Sequence, residues 1–347
     1  NDGQLLLGLG EHYNRIHGQF GAARAPVLWD FLEQNHAALL GELEAAGIAC
    51  DLEVHGGLRL AETAHEWQEL EAAAALLSAE RKPHDLLPAT ALGRLLPRTR
   101  GFHGALLLHG EAIVQPAAMV RGLAARAAAA GARIVERCGV AAIHGDAGDF
   151  TLELDDGRTL PASVVVHCTS TLARDLDPTG LLARAVFPFR GQIVATARLP
   201  DDLAGAFPPY AMSSNFCYEY FRVHRGRFVL GGKRWAVPGE EQGILDDAAH
   251  NPAVSEHLLD YVRAHFPALE HTPFPHVWTG IMAGTPDGLP LCGPLPGRAG
   301  VFALLGFNGY GLSFAFLAGR CLAGLIVDGG NAHPALPMFA PRRLQPT

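Results

Sequence analysis

VFALLGFNGYGLSFAFLAG, from Val301 to Gly319, is the stretch on which the fold turns. It is apolar and about long enough to cross a bilayer as one helix. Yet Gly306, Gly309 and Gly311 cluster with Asn308 in its first half, and Arg320 closes it. A lipid-facing helix gains nothing from that cluster. A short strand (301–305), a glycine turn and a buried helix (312–327) account for every feature, so no membrane span is expected. The turn GFNGYG has two readings of equal standing. It is either a tight bend that needs positive φ, or a cradle whose N–H groups, at the positive end of a helix, hold an anionic group or an electron-rich ring.

Upstream, apolar residues recur at helical spacing from Ala25 to Gly47 (Val27, Leu28, Phe31, Leu32, Leu39, Leu40, Leu43), and Gly47 is a natural stop. A short strand follows Gly56-Gly57. Thr63 with Glu66 three residues on marks the start of a helix through the alanines to Glu80. RKPHDLLPATALGRLLP reads as a proline-punctuated connector with one short helix. Pro116 opens a helix that stops at Gly131. The period then changes to two: ARIVERCGVAAIHG, DFTLELDDGRTLP and ASVVVHC read as three strands, with Asp156-Gly157 a hairpin turn. Val164-Val165-Val166 does not alternate, which predicts a parallel strand buried on both faces. Further strands are expected at Arg190–Val194, CYEYFRV, RFVLGGKR and PHVWTGIMAG, with a helix from Pro252 to His265. The expected fold is mixed α/β, antiparallel in the middle and parallel-like at the flanks.

The 347 residues allow about two domains, each with a core. A hydrophobic share of 49% against 18% charged excludes a disordered tail. Lys+Arg 27 against Asp+Glu 35 leaves a net charge of −8, so no nucleic-acid partner is indicated. Six cysteines without a CxxC read as reduced thiols of a cytoplasmic protein, and the opening NDGQ lacks the pattern of an export signal. Of the 17 histidines, His109 stands in H-G-E, half of a zinc-deaminase motif, but no P-C-x-x-C follows. There is no H-E-x-x-H and no G-x-S-x-G, so neither a metal nor an activated nucleophile is expected. Cys168, after a buried strand, reads as a small core residue near a ligand cleft. GLGEHY at Gly8–Tyr13 lacks the third glycine and the preceding strand of a dinucleotide fingerprint.

Several segments, in order, resemble the D-amino-acid-oxidase superfamily of FAD-dependent oxidoreductases. They are NDGQ, GGLRLA, EAIVQPAAMVRGLAARAAAAGARI, SVVVHCTSTLARDL, RGQIVAT, YEYFRVHRGRFVLGGKR and the long WTGIMAGTPDGLPLCGP…VFALLGFNGYGLSFAFLAGRCLAGLI. The flavour is that of γ-glutamylputrescine and glycine–sarcosine oxidases. The resemblance implies a Rossmann-like FAD-binding domain from 1–24, 100–180 and 275–347, interleaved with an antiparallel-sheet substrate domain from 25–99 and 181–274. It also implies that the chain starts where the family's first βαβ unit, which binds the ADP part of FAD, would have finished. A truncated domain of that kind lacks the pyrophosphate site.

The chemistry implied is oxidation of the C–N bond of an amine or amino-acid derivative, with hydride passing to flavin N5 and an imine as product. By resemblance Gly306, Asn308, Gly309, Tyr310, Gly311 and Leu312 border the flavin, with Thr169, Ser170, Asn1, Gly3 and Gln4 beside it. The position of the sarcosine oxidases' flavin-linked cysteine falls at Gly280, implying non-covalent FAD. The family's carboxylate-clamping arginine falls at Met282, implying an amine or a substrate whose acid lies elsewhere. Tyr218, Tyr220 and Arg222, at i, i+2 and i+4, share one strand face and read either as a substrate wall, with Met282 and Trp278 nearby, or as a half-buried aromatic stripe. No residue stands out as a general base. The implied partners are a small-molecule amine, and a second copy or a flavoprotein acceptor. The alternatives are an FAD-less remnant serving as scaffold or partner-binding subunit, and a hydrolase built on the histidines.

Overall fold

A strand Val301–Leu305, a loop and a helix Gly311–Asp328 form the expected strand–turn–helix in the computed structural model, which describes residues 1–330 and 333–345. Val301, Ala303 and Leu305 are buried, as period two requires. The strand pairs antiparallel with Leu291–Pro294 and parallel with Val165–His167. By length and composition this helix, alone among the described residues, passes for a membrane span. Its Phe314, Ala318 and Leu322 instead join the core built on the helix Ala25–Ala45, where Phe31, Phe314 and Phe339 meet at centroid separations between 5.0 and 6.0 Å. Inside that contact Asn35 is fully buried, with both side-chain heteroatoms hydrogen-bonded. It donates to Leu312 O at 2.9 Å and accepts from Leu317 N at 2.9 Å.

The second body is an eight-stranded sheet. Its spatial order is His276–Gly284, Phe187–Ala195, Arg227–Gly231, Glu219–His224, Ala211–Ser214, Gly57–Ala61, Gly104–Leu108 and His84–Pro88. All neighbours are antiparallel except Ala211–Ser214 with Gly57–Ala61. Phe221, Phe228 and Phe266 pack its core under the helix Pro252–His265. Strands Gly104–Leu108 and His276–Gly284 belong to this sheet although they lie outside 25–99 and 181–274. A meander of Val140–Asp146, Asp149–Leu154 and Thr159–Ala162 stands apart.

Local signals held where side chains act on their own backbone. Thr63 accepts from Glu66 N at 3.1 Å, and Glu66 accepts from Glu62 N at 2.8 Å, closing the first turn of Ala64–Ala79. Three expectations are corrected. The strand begun at Ala132 starts only at Val140, because Arg137 takes φ 53° and breaks the extended run. The Val164–Val166 run is parallel as expected but forms a sheet edge, which leaves Val164 38% exposed. The proline connector contains a strand, His84–Pro88, at the other sheet's edge, where missing N–H groups cost nothing.

One buried clamp joins three segments. Arg59 forms a two-pronged ion pair with Glu111, the residue of the H-G-E triplet, and donates to Leu7 O at 3.0 Å; Leu7 N donates to Glu111 at 2.6 Å. Glu111 holds the Arg59 guanidinium protonated well above its usual range despite burial.

Candidate active site

A cleft of about 600 Å³ opens where the Gly306–Gly311 loop, the N-terminal segment and one end of the large sheet meet. One wall is backbone. Gly306 has φ 75°, and a Cβ there would stand 2.8 Å from Thr285 Cγ2. Asn308, at φ 53°, stitches the loop: its amide accepts from Thr285 N at 2.8 Å and donates to Gly306 O at 2.8 Å. Among the described residues no side chain caps the helix that follows. Among the described residues none accepts a hydrogen bond from the N–H groups of Gly309, Gly311 or Leu312. The helix thus turns open donors and its positive end into the cleft. Gly10 completes this wall, since a Cβ on it would lie 2.5 Å from the Tyr310 ring. The failed dinucleotide motif therefore supplies a close approach to an aromatic ring.

The opposite wall is made of side chains over glycines. A Cβ on Gly231 would come 2.3 Å from the Tyr220 ring, and one on Gly191 would come 2.6 Å from Met282 Cε. Gly280 lines the cleft, and a Cβ there would meet nothing within 4 Å. Trp278 and Tyr218 are partly exposed at the cleft. Burial, with Asp2 nearby, pushes the Tyr220 hydroxyl well above its usual range, so it stays protonated.

Of the residues singled out from sequence, Asn1, Gln4, Ser170, Gly280, Gly306, Asn308, Gly309, Tyr310, Gly311 and Leu312 line the cleft, as do Tyr218, Tyr220, Trp278 and Met282. Gly3, Thr169 and Arg222 do not. Arg222 shares the strand face with Tyr220, but the N-terminal segment covers it. A Cβ on Gly3 would stand 2.7 Å from its Nη2, which donates to Val114 O at 2.7 Å. Tyr218 precedes the strand, which starts at Glu219. Thr169 lies between two cleft residues, Cys168 and Ser170, without lining the cleft itself. Cys168 is exposed on the cleft and is not a core residue.

Residues with no sequence signal also line the cleft. Asp2 accepts from Gln4 N at 3.3 Å with one oxygen, and its other oxygen is buried without a partner among the described residues. Burial raises its pKa, with Arg222 opposing. Arg234 lines the cleft beside Phe189 and Tyr218. Cys217 follows Asn215 and Phe216 in three successive left-handed residues, φ 47°, 55° and 66°, a strained turn held by Glu66 accepting from Phe216 N at 2.8 Å. Behind it, His12 lies 3.6 Å from Glu66. Burial disfavours charging this imidazole, but the Cys217 and Glu66 side chains prevail and its pKa is pushed up to about 9. No pattern of spacing links these residues; the turn brings them together.

Residues 11–325 match the family described as FAD dependent oxidoreductase, DAO. Gamma-glutamylputrescine oxidoreductase of Escherichia coli (strain K12) is 25% identical over 333 residues, covering 94% of this chain and 74% of that protein. Glycine oxidase of Geobacillus kaustophilus (strain HTA426) is 27% identical over 315 residues, covering 88% and 79%. The crystal structure of glycine oxidase from Geobacillus kaustophilus superposes with a TM-score of 0.80 at 23% identity, covering 97% of this chain and 86% of that one. That of L-proline dehydrogenase from P.horikoshii gives 0.78 at 17%, covering 91% and 83%.

Proposed function

The chain belongs to the DAO family of FAD-dependent oxidoreductases, and from that premise we propose that it oxidises an amine, or an amino-acid derivative, at its C–N bond to the imine. When bound, FAD supplies a ring that accepts a hydride. The residues of the cleft fit such a ring. The free N–H groups of Gly309, Gly311 and Leu312 would hold its electron-rich edge, with Gly306, Asn308 and Tyr310 shaping the loop around it. Ser170, Asn1 and Gln4 would border it. Gly280 offers open space and no thiol, which supports a non-covalent cofactor.

The opposite wall would hold the substrate. Met282 and Trp278 bind alkyl carbon and exclude water, and the protonated Tyr220 hydroxyl is a donor. The unpartnered Asp2 oxygen is an acceptor for an ammonium or for the proton that must leave it. Arg222, buried against Asp2 and Val114, acts as a positioning residue for the N-terminal loop. Met282 offers no fork for an α-carboxylate, which supports an amine over a simple α-amino acid. The names of the relatives support the same class: one is a γ-glutamylputrescine oxidoreductase and another a glycine oxidase. Free cysteines, two of them on the cleft, are in keeping with a reducing, cytoplasmic setting.

The single observation that carries this reading is the open helix start, and it speaks against a scaffold whose junction is packed shut. The test is a titration of the protein with FAD followed by flavin fluorescence, then anaerobic mixing with primary amines and with glycine. Amines are expected to bleach the flavin band and glycine is not. Failure to bind FAD, or bleaching by glycine alone, overturns the reading.

A further inference from the structure

We propose that Arg234 forms an anion-binding subsite of the cleft, so that the amine substrate carries a carboxylate set apart from its reacting C–N bond. The inference rests on the amine-oxidation reading and narrows it. Arg234 is the only lysine or arginine side chain that lines the cleft among the described residues. Its guanidinium stands 4.7 Å from the centroid of Phe189, the cross-strand partner of Met282, and 6.0 Å from that of Tyr218. Those rings flank the fork, and 23% of the side chain stays exposed. Nη1 donates to Glu240 O at 3.1 Å and approaches Glu240 Oε2 at 3.4 Å. Among the described residues no acceptor meets Nε or Nη2, so one edge of the fork is free for a carboxylate.

The placement is built. Glu241, next to Glu240, pairs with buried Arg190 at 2.6 Å and anchors the loop against which Arg234 leans. The adjacent Lys233 turns the other way, to Glu219 at 3.4 Å and the rings of Trp235 and Tyr261. Asp2, with its unpartnered oxygen, lines the same cleft. A cleft that holds both carboxylates (Asp2, Glu11) and a guanidinium matches a molecule that carries both an amine and an acid.

The probes are 5-aminopentanoate, pentylamine and pentanoate, with binding to the FAD-loaded protein read by calorimetry and by the shift of the flavin spectrum, and R234Q and R234K as variants. In the unaltered protein 5-aminopentanoate is expected to bind at least about tenfold more tightly than pentylamine, a difference of about 1.4 kcal/mol. In R234Q that preference falls to about even, and R234K keeps part of it, which separates loss of the charge from loss of the fold. Equal binding of the two amines by the unaltered protein, or a preference that survives in R234Q, overturns the proposal. Pentanoate separates the two readings. If it binds in an Arg234-dependent way while neither amine bleaches the flavin, the subsite stands and the amine-oxidation reading falls.

Discussion

The two walls of the cleft are built by opposite means. Around Gly306–Leu312 the working groups are main-chain amides, placed by left-handed glycines and an uncapped helix. Across from them the groups are side chains from the strands Glu219–His224 and His276–Gly284 and from the turn at Arg234, lying over glycines that make room. A backbone wall is nearly independent of side-chain identity, so it can serve a constant cofactor. A side-chain wall changes with each residue, so under the proposed function substrate choice would fall to it.

The largest expected effect tests the foundations of the side-chain wall. The His12 pKa is raised to about 9 from an ordinary 6.5. The stability it contributes is therefore fully present below pH 6.5 and is lost as pH rises through 9. A rise of that size is worth about 3 kcal/mol. Urea midpoints measured from pH 6 to pH 9.5 should fall steeply in the native chain and only slightly in His12→Gln; parallel curves would remove His12 from the account. Next is Gly309→Val on the backbone wall, at φ 87°. A β-branched residue there costs about 1–3 kcal/mol and tilts an amide out of the cleft, so FAD affinity should fall by at least about tenfold. An unchanged fluorescence titration would mean that this wall does not touch the cofactor.

Asn35→Leu should lower stability by about 1–2 kcal/mol, since it leaves the Leu317 N–H and Leu312 O without their partner. It should also weaken FAD binding more than it alters relative affinities among amines. A selective change in amine preference would blur the division of labour between the walls. Met282→Arg is the smallest and most informative change. It should raise affinity for glycine about tenfold, or about 1.4 kcal/mol, with a smaller loss of FAD affinity, because a Cβ on Gly309 would stand only 3.3 Å from Met282 Sδ. No gain would place the substrate's acid contact away from position 282.

The backbone wall was legible because glycines that must take positive φ stand close together in sequence, directly between a strand and a helix. The long helices were legible for a similar reason, since periodicity and caps act within a few residues. Asn35 broke the apolar face of its helix without betraying a partner 277 positions away. The side-chain wall was only half visible. Alternation put Tyr220 and Arg222 on one face, but alternation knows nothing of the N-terminal segment that lies over Arg222. Asp2, Cys217 and Arg234 meet at the cleft through tertiary contacts alone. Prolines hid the strand His84–Pro88 because they bar a central strand, and an edge strand is exempt from that bar.

The clamp of Arg59, Glu111 and Leu7 has a consequence for measurement. The Leu7 amide is donated to a fully buried carboxylate that is itself gripped by a guanidinium, so its proton exchanges with solvent only when the whole fold opens. The amides of Gly309 and Gly311, with no acceptor, exchange readily until something covers them. One chain thus carries a slow clock and a fast one: in deuterated water the fast rate reports occupancy of the cleft, and the slow one reports the stability of the fold.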